Sequence, residues 1–286
     1  MAGHRTVRVP VEGGELAVEV AGGGRRAVLA VHGLTGNCRL WNWLRAEAPE
    51  IALVMPDLRG RAGSYRVAGR SSVRRHAEDL VRVLDALELD VVAVCGMSMG
   101  GFVAVELATR WPGRVRGLVL VDGGLPMAVP AGLTPDALPA AFAPQLERVS
   151  RRWADVDEYL AYFLHSNPLL DPRDPLLRDC LEHDLDDGRV LLGREAVLAD
   201  ATDVFFGEHR WRALATPTEL VCAEWSAGAD TPPAYSAEAL AEFREALPVL
   251  GRPRRIAGTD HAGTVMTRAG AAVVGAALHD VLLRVR

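Results

Sequence analysis

The sequence predicts an α/β protein with a mostly parallel, doubly wound sheet and a helical insert. Two observations support this prediction. Short apolar runs alternate with amphipathic helical patterns, and a long stretch in the middle of the chain lacks any convincing strand. The chain has 286 residues, of which 49% are hydrophobic and 24% are charged. This is enough length for one packed domain that carries an insert.

The first strands are predicted to form an antiparallel hairpin. Residues 6–11 and 15–20 alternate partly between apolar and polar side chains, and a Gly-Gly pair lies between them. Five later runs are mostly apolar, as expected of central strands that are covered on both faces. These runs are residues 27–31, 51–55, 91–95, 118–121 and 219–222.

Helical patterns connect these strands. Residues 72–89 place apolar side chains at spacings of three and four, and the pattern at 102–111 stops before Pro112. Strands that alternate with helices imply right-handed crossovers and ligand binding at the carboxyl ends of the strands. The strand pattern stops after residue 124, where prolines and aromatic side chains accompany amphipathic helical patches. We interpret residues 125–214 as a helical cap, and residues 1–124 and 215–286 as one core domain.

Composition excludes several classes of function. All 32 basic residues are Arg, so the chain lacks the Lys of a Walker-type phosphate loop or of a Schiff-base enzyme. A net charge of −5 argues against binding to nucleic acid or an anionic membrane. The N-terminus lacks the apolar core of a signal peptide, and Cys38, Cys95, Cys180 and Cys222 lack zinc-type spacing. We therefore expect free thiols, no metal, no cofactor and a cytoplasmic location.

A GxSxG motif directly follows the strand predicted at residues 91–95. It contains Gly96, Ser98 and Gly100 and precedes a helix, which is the context of a nucleophile elbow. The glycines remove side chains that would clash in so tight a turn. The turn then directs the hydroxyl to a helix N-terminus, where the helix dipole favours a developing negative charge. Ser98 is therefore the predicted nucleophile.

Two further loops at strand ends complete the predicted site. A tetrahedral oxyanion needs two convergent donors, which we assign to the backbone N–H groups of Leu34 and Met99. His32, at the start of the HGLTG loop, is expected to order that loop through hydrogen bonds. His261, which follows Asp260 before the last helix, is the predicted base, because a Ser hydroxyl needs a positioned imidazole to accept its proton.

These motifs resemble those of the α/β-hydrolase superfamily, specifically its members with a helical cap inserted after the sixth strand. The resemblance covers nearly the whole chain and implies the α/β-hydrolase fold, with the nucleophile, the acid and the His in that chain order. It also implies that the turn at 57–64 is structural. The segments that carry the resemblance are HGLTG at 32–36, DLRGRAGS at 57–64, GMSMGG at 96–101 and DH at 260–261.

The acid is the point at which this chain departs from the superfamily. Most relatives have an Asp at the position that corresponds to Ser226 here. Asp122, at the end of the sixth predicted strand, is the preferred acid because it requires no insertion, although it could instead brace a loop. Asp230 is the alternative if the loop is about four residues longer, and it could instead cap a helix. Glu224 is a third candidate.

The combined prediction is a serine hydrolase. It would cleave a hydrophobic carboxylic ester, lactone or thioester through an acyl-enzyme intermediate, with a small-molecule acyl substrate in an apolar pocket roofed by the cap. Two alternatives stay open. One is an enzyme of the same fold that uses the triad for carbon–carbon bond cleavage or non-hydrolytic chemistry. The other is a ligand-binding member without activity. The sequence indicates no oligomeric state.

Overall fold

The computed structural model of the protein describes residues 4–22, 27–129 and 132–284. The strands within these ranges are β1 (His4–Val11), β2 (Gly14–Ala21), β3 (Val28–Val31), β4 (Leu53–Pro56), β5 (Val92–Met97), β6 (Val115–Val121), β7 (Leu185–Asp186), β8 (Arg189–Val190), β9 (Thr218–Ala223) and β10 (Arg254–Ile256). The helices are α1 (Asn42–Glu47), α2 (Val73–Ala86), α3 (Met99–Arg110), α4 (Leu138–Ala141), α5 (Ala143–Ser150), α6 (Val156–His165), α7 (Pro175–His183), α8 (Arg194–Phe206), α9 (Ala237–Ala246) and α10 (Arg268–Arg284).

Eight of the strands form one sheet in the order β1-β2-β4-β3-β5-β6-β9-β10. The β1–β2 and β2–β4 pairs are antiparallel, and the pairs from β4 to β10 are parallel. This confirms the predicted hairpin and the mostly parallel sheet. Because β5 and β6 are parallel neighbours inside the sheet, the loops after both strands leave from the same edge.

Apolar layers cover both faces of the sheet. Along β3, Leu29 and Val31 belong to one buried cluster, whereas Val28 and Ala30 belong to the other. All four side chains are fully buried, which accounts for the unbroken apolar run in the sequence. All four cysteines are free thiols, as predicted, and all four are buried. In the described ranges, no helix has the length and apolar character needed to cross a membrane.

Several element boundaries differ by two or three residues from the predicted ones, and two departures have a clear cause in the backbone. Helix α2 ends at Ala86 rather than Leu89, because Glu88 adopts a left-handed conformation with φ 54° that an α-helix cannot continue. A hairpin of two-residue strands, β7 and β8, lies within the insert that was predicted to be helical. Asp187-Gly188 forms its turn with φ of 47° and 71°. The flanking strands are too short to show a period-two pattern.

Five helices, α4 to α8, lie between β6 and β9 in the chain. A buried ion pair joins this part of the chain to the core: Arg61 Nη1, which follows β4, lies 2.6 Å from Asp200 Oδ2 on α8. The same carboxylate oxygen lies 2.9 Å from His76 Nε2 on α2. These contacts fasten the insert to the sheet beside the loops in which the functional residues were expected.

Candidate active site

Ser98 occupies the sharp turn between β5 and α3. Its backbone has φ 54° and ψ −122°, a strained conformation for a residue that carries a side chain. Its N–H donates to the Val121 carbonyl at 2.9 Å, and its carbonyl accepts from the Gly101 N–H at 2.9 Å. A Cβ atom on Gly96 would lie 2.2 Å from the Gly100 oxygen, so the turn requires the flanking glycine. The predicted tight turn is present at this position.

A second glycine requirement comes from the neighbouring strand end and was not predicted. A Cβ atom on Gly123 would lie 2.2 Å from the Ser98 carbonyl oxygen and 2.5 Å from Ser98 Cα. The backbone after β6 therefore packs directly against the turn that holds Ser98. The signal in the sequence is the Gly123-Gly124 pair after the sixth strand, but its contact cannot be inferred without the sheet order.

Asp122 and His261 form a direct pair. Asp122 Oδ2 lies 2.6 Å from His261 Nδ1, and the other carboxylate oxygen accepts from the Ala223 N–H at 3.2 Å. Burial opposes protonation of His261, but the hydrogen bond to Asp122 and its charge outweigh burial, so the pKa of His261 lies above its ordinary value. A carboxylate at Nδ1 favours the tautomer that carries the proton there, which leaves Nε2 able to accept one.

The other candidate acids lie elsewhere. Asp230 is exposed and, within the described residues, makes no hydrogen bond to His261. Glu224 accepts from the Gly258 N–H at 2.6 Å through Oε2 and so braces the loop before His261. Ser226 contributes to the wall of the cavity that contains Ser98. The geometry thus brings Asp122, and neither alternative, to the imidazole.

The loop that carries His261 is held by the preceding carboxylate. Asp260 is buried, and its two oxygens accept from the N–H groups of Gly263 and Gly228, each at 3.0 Å. Thr264 Oγ1 donates to the His261 carbonyl at 2.7 Å. The two residues of the DH motif therefore have different roles. Asp260 joins two loops through its hydrogen bonds, whereas His261 lines the cavity.

The two predicted oxyanion donors lie in the same cavity wall as Ser98. Met99 is the first residue of α3, and the N–H groups in the first turn of a helix have no partner inside that helix. The Leu34 N–H makes no hydrogen bond within the described ranges. The Leu34 carbonyl is held by Arg61, whose Nη2 and Nε donate to it at 2.9 and 3.1 Å. This pair of bonds fixes the orientation of the peptide group before Thr35.

His32 orders the loop, as predicted. It is fully buried, its Nε2 lies 3.0 Å from the Leu58 backbone nitrogen, and its Nδ1 lies 2.7 Å from the Gly33 carbonyl oxygen. Since an amide N–H can only donate, Nε2 is the acceptor and the ring proton sits on Nδ1. Burial lowers the pKa of His32 to about 4, so the ring is neutral at pH 7.

A cavity of about 700 Å³ lies over the loops that follow the strands. Ser98 and His261 both line it, but no hydrogen bond joins these two side chains in the described structure. Hydrogen bonds of this kind are often long before substrate binds. The insert supplies much of the opposite wall. Its aromatic side chains there are Phe142, Tyr162, Phe163 and Phe205, and α5 adds the polar side chains of Gln145 and Arg148.

One group of possible metal ligands lies near this site but outside the cavity wall. Donor atoms of Glu19, Cys38 and His183 lie within 4.8 Å of one another. They already have partners, because Arg39 Nε donates to Glu19 at 3.2 Å and His183 Nε2 lies 2.8 Å from Asp57. A guanidinium bound to Glu19 opposes a second cation there. Asp57 also accepts from the Cys38 N–H at 2.7 Å, as expected for a structural turn.

Comparisons with known proteins agree with this fold. A model of the alpha/beta hydrolase family matches residues 28–279. Lipase LipV of Mycobacterium tuberculosis is 36% identical over 142 residues, which cover 47% of this chain and 54% of the lipase. The 2-hydroxy-6-oxo-2,4-heptadienoate hydrolase of Pseudomonas putida is 37% identical over 121 residues, which cover 40% of this chain and 43% of that protein. The chain thus spans about half the length of these curated relatives. Among solved structures, E-2-(acetamidomethylene)succinate hydrolase has a TM-score of 0.77 at 22% identity, covers 98% of this chain and is itself covered to 99%.

Proposed function

The chain belongs to the alpha/beta hydrolase family, and we propose that it is a serine hydrolase that cleaves a carboxylic ester, lactone or thioester. The observation that carries this proposal is the 2.6 Å contact between Asp122 and His261, in a molecule whose cavity wall contains both His261 and Ser98. A lipase among the relatives supports an ester substrate. The side chains at the strand ends and their order in the chain also support this reaction class.

In the proposed mechanism Ser98 Oγ attacks the substrate carbonyl carbon while His261 Nε2 takes the hydroxyl proton. The carbon–oxygen double bond opens to an oxyanion, which the N–H groups of Leu34 and Met99 bind. His261 then gives its proton to the departing alcohol or thiol, and the acyl group stays on Ser98. A water molecule, activated by His261, releases the acid. Asp122 stabilises the imidazolium in both steps.

The walls of the cavity favour a substrate with apolar parts. Phe142, Phe163 and Phe205 line the cap side, and Met97 and Met266 line the core side. Apolar and aromatic linings of this kind, with a few oriented polar groups, are typical of small-molecule sites. The substrate is therefore proposed to be a small acyl compound rather than a macromolecule.

A panel of aryl esters, lactones and acyl thioesters tests this proposal. Ser98→Ala should lose several orders of magnitude in kcat/KM while its circular dichroism stays that of the parent. Ser226→Ala is the matched control, because Ser226 lines the same cavity and has no role in the mechanism. Turnover by Ser98→Ala at the parent rate, or an equal loss in Ser226→Ala, would remove Ser98 as the nucleophile.

One comparison favours a second candidate function. A relative is named as a hydrolase of 2-hydroxy-6-oxo-2,4-heptadienoate, a compound that has an oxo group and no ester. The same nucleophile, base and oxyanion donors could act at a ketone carbonyl and break a carbon–carbon bond. Product analysis by mass spectrometry, with vinylogous diketones added to the ester panel, distinguishes this candidate from ester hydrolysis.

A further inference from the structure

The cap side of the cavity contains a buried, positively charged side chain that the proposed mechanism does not use. Arg148 on α5 is 4% exposed and lines the cavity that also contains Ser98 and His261. A guanidinium stays protonated even when buried, and a buried charge is costly unless a counter-charge and hydrogen bonds compensate it. The partners of Arg148 therefore decide whether it is purely structural.

The partners that Arg148 has are neutral. Its Nη2 donates to the Thr35 carbonyl at 2.6 Å, and its Nη1 donates to the Tyr159 hydroxyl at 3.1 Å. Its buried Nε has no partner. No carboxylate of the described residues forms an ion pair with it. A guanidinium has five N–H donors, and only two of those of Arg148 have a partner among the described residues.

The nearest linked carboxyl group is Asp184, one hydroxyl away. Tyr159 Oη donates to Asp184 Oδ2 at 3.4 Å, and Asn37 donates to the other oxygen at 2.7 Å. Burial raises the pKa of Asp184 even though the charge of Arg148 acts in the opposite direction. Asp184 therefore reaches Arg148 only through the Tyr159 hydroxyl and forms no direct ion pair with it.

A second polar group stands beside Arg148. Gln145 lies three residues earlier on α5, a spacing that puts two side chains on the same face of a helix. It lines the same cavity, and its buried Oε1 has no partner. Because an amide oxygen only accepts hydrogen bonds, Gln145 would bind an anion through its side-chain NH2 group. The Phe163 ring, 6.0 Å from Arg148 Cζ, holds the guanidinium from one side. Two unsatisfied polar groups thus share one part of a mostly apolar wall.

We propose that Arg148 and Gln145 form a subsite for a carboxylate, so that the substrate carries a free carboxylate besides the bond that is cleaved. This inference rests on the proposed hydrolase function and narrows its substrate class. A monoanion adds one negative charge beside the single charge of Arg148, whereas a phosphate dianion would add two to a buried wall that already contains the Asp184 carboxyl group. Because Arg148 also holds the Thr35 carbonyl, the carboxylate lies on the side of the loop that supplies Leu34.

The first test compares two esters of the same length, 4-nitrophenyl valerate and the 4-nitrophenyl monoester of glutaric acid. The parent protein should prefer the charged ester by about tenfold or more in kcat/KM, since charge-assisted hydrogen bonds form with only one of them. Arg148→Gln should abolish this preference, and Arg148→Lys should keep part of it. Arg151→Gln is the control, because Arg151 is two-fifths exposed and lies outside the cavity wall. The ratio of the kcat/KM values for the two esters does not change when a substitution lowers activity on both esters equally.

The second test measures binding without turnover. Glutarate should stabilise Ser98→Ala protein against thermal unfolding, whereas neutral glutaramide should not, and Arg148→Gln should remove the effect of glutarate. The two proposals can fail separately. Binding of glutarate through Arg148 without turnover of any ester would support the carboxylate subsite and refute the proposed hydrolase function. Ester hydrolysis with no preference for the charged ester and no binding of glutarate would support the hydrolase function and refute the subsite. If Arg148→Gln does not fold, the glutarate and glutaramide comparison in the parent decides the question. Tighter binding of inorganic phosphate than of glutarate would overturn the choice of carboxylate.

Discussion

The carboxylate of Asp122 lies 2.6 Å from the imidazole of His261, although 139 positions separate the two residues in the chain. Asp122 follows β6 directly in a left-handed conformation with φ 45°, and its side chain is completely buried. His261 comes from the loop after β10, two strands further along the sheet. The sheet order thus sets the distance between the predicted base and its acid before any substrate is present.

The acid can be identified by substitution. Asp122→Asn should lower kcat on an activated ester by about 10³–10⁴-fold, because the neutral amide can no longer hold the reactive tautomer or stabilise the imidazolium. Asp230→Asn should stay within about twofold of the parent, since Asp230 is exposed and away from His261. Steady-state kinetics of both variants provide the measurement. The larger loss in Asp230→Asn would reverse the assignment.

The rate should fall on the acidic side of neutrality. Protonated His261 cannot accept the Ser98 proton, so kcat/KM decreases as pH drops through the pKa of His261. Because Asp122 raises that pKa above 6.5, the midpoint of the acidic limb should lie above pH 6.5. In Asp122→Asn the burial of His261 remains without the charge, so the midpoint should move to lower pH. A midpoint that is the same in both proteins would contradict this cause.

His32 should make the fold sensitive to acid. Its folded pKa of about 4 is below the ordinary value of 6.5, so between these pH values only the unfolded chain binds the proton. Neutral His32 therefore stabilises the folded protein at pH 7, and about 3 kcal/mol of this contribution is lost as the pH falls to 4. Urea unfolding should show that the difference in unfolding free energy between the parent and His32→Gln decreases by this amount between pH 7 and pH 4. A gap independent of pH would show that His32 does not titrate in this way.

The backbone contact at Gly123 should be essential. Gly123→Ala places a Cβ atom 2.2 Å from the Ser98 carbonyl oxygen, so the two loops must separate. We expect a loss of about 1–3 kcal/mol in unfolding free energy. The proposed ester hydrolysis should fall by more than this destabilisation explains, because the turn that holds Ser98 is displaced. Gly113→Ala is the matched control, because a Cβ atom there meets nothing within 4 Å. Similar behaviour of the two variants would show that the close approach has no consequence.

The buried pair of Arg61 and Asp200 should show strong coupling. Arg61→Met leaves the Asp200 carboxylate without the guanidinium and should cost about 3–5 kcal/mol in unfolding free energy. Arg61→Met combined with Asp200→Asn should cost less than the sum of the single changes, by about 0.5–3 kcal/mol. Chemical denaturation of the four proteins gives the coupling. Additive losses would mean that the ion pair contributes nothing of its own.

Local patterns explain what the sequence could predict. The strands, the tight turn at Ser98 and the role of His32 depend on neighbours in the chain, where apolar periodicity and glycine placement are informative. The choice between Asp122 and Asp230 depended instead on the course of the loop after β9. The sequence could not show Arg148 as part of the cavity wall either, because its contact with Thr35 joins positions that are 113 apart. A lone arginine on a short amphipathic helix has the pattern of an exposed side chain.

The most direct test of the central claim is to locate the covalent adduct of a fluorophosphonate by peptide mass spectrometry. The hydroxyl of Ser98 should carry the phosphonyl group at a stoichiometry near one, and His261→Ala should label far more slowly because nothing takes the proton. An adduct at another residue, or no adduct in a protein that hydrolyses esters, would contradict the assignment of Ser98 as the nucleophile.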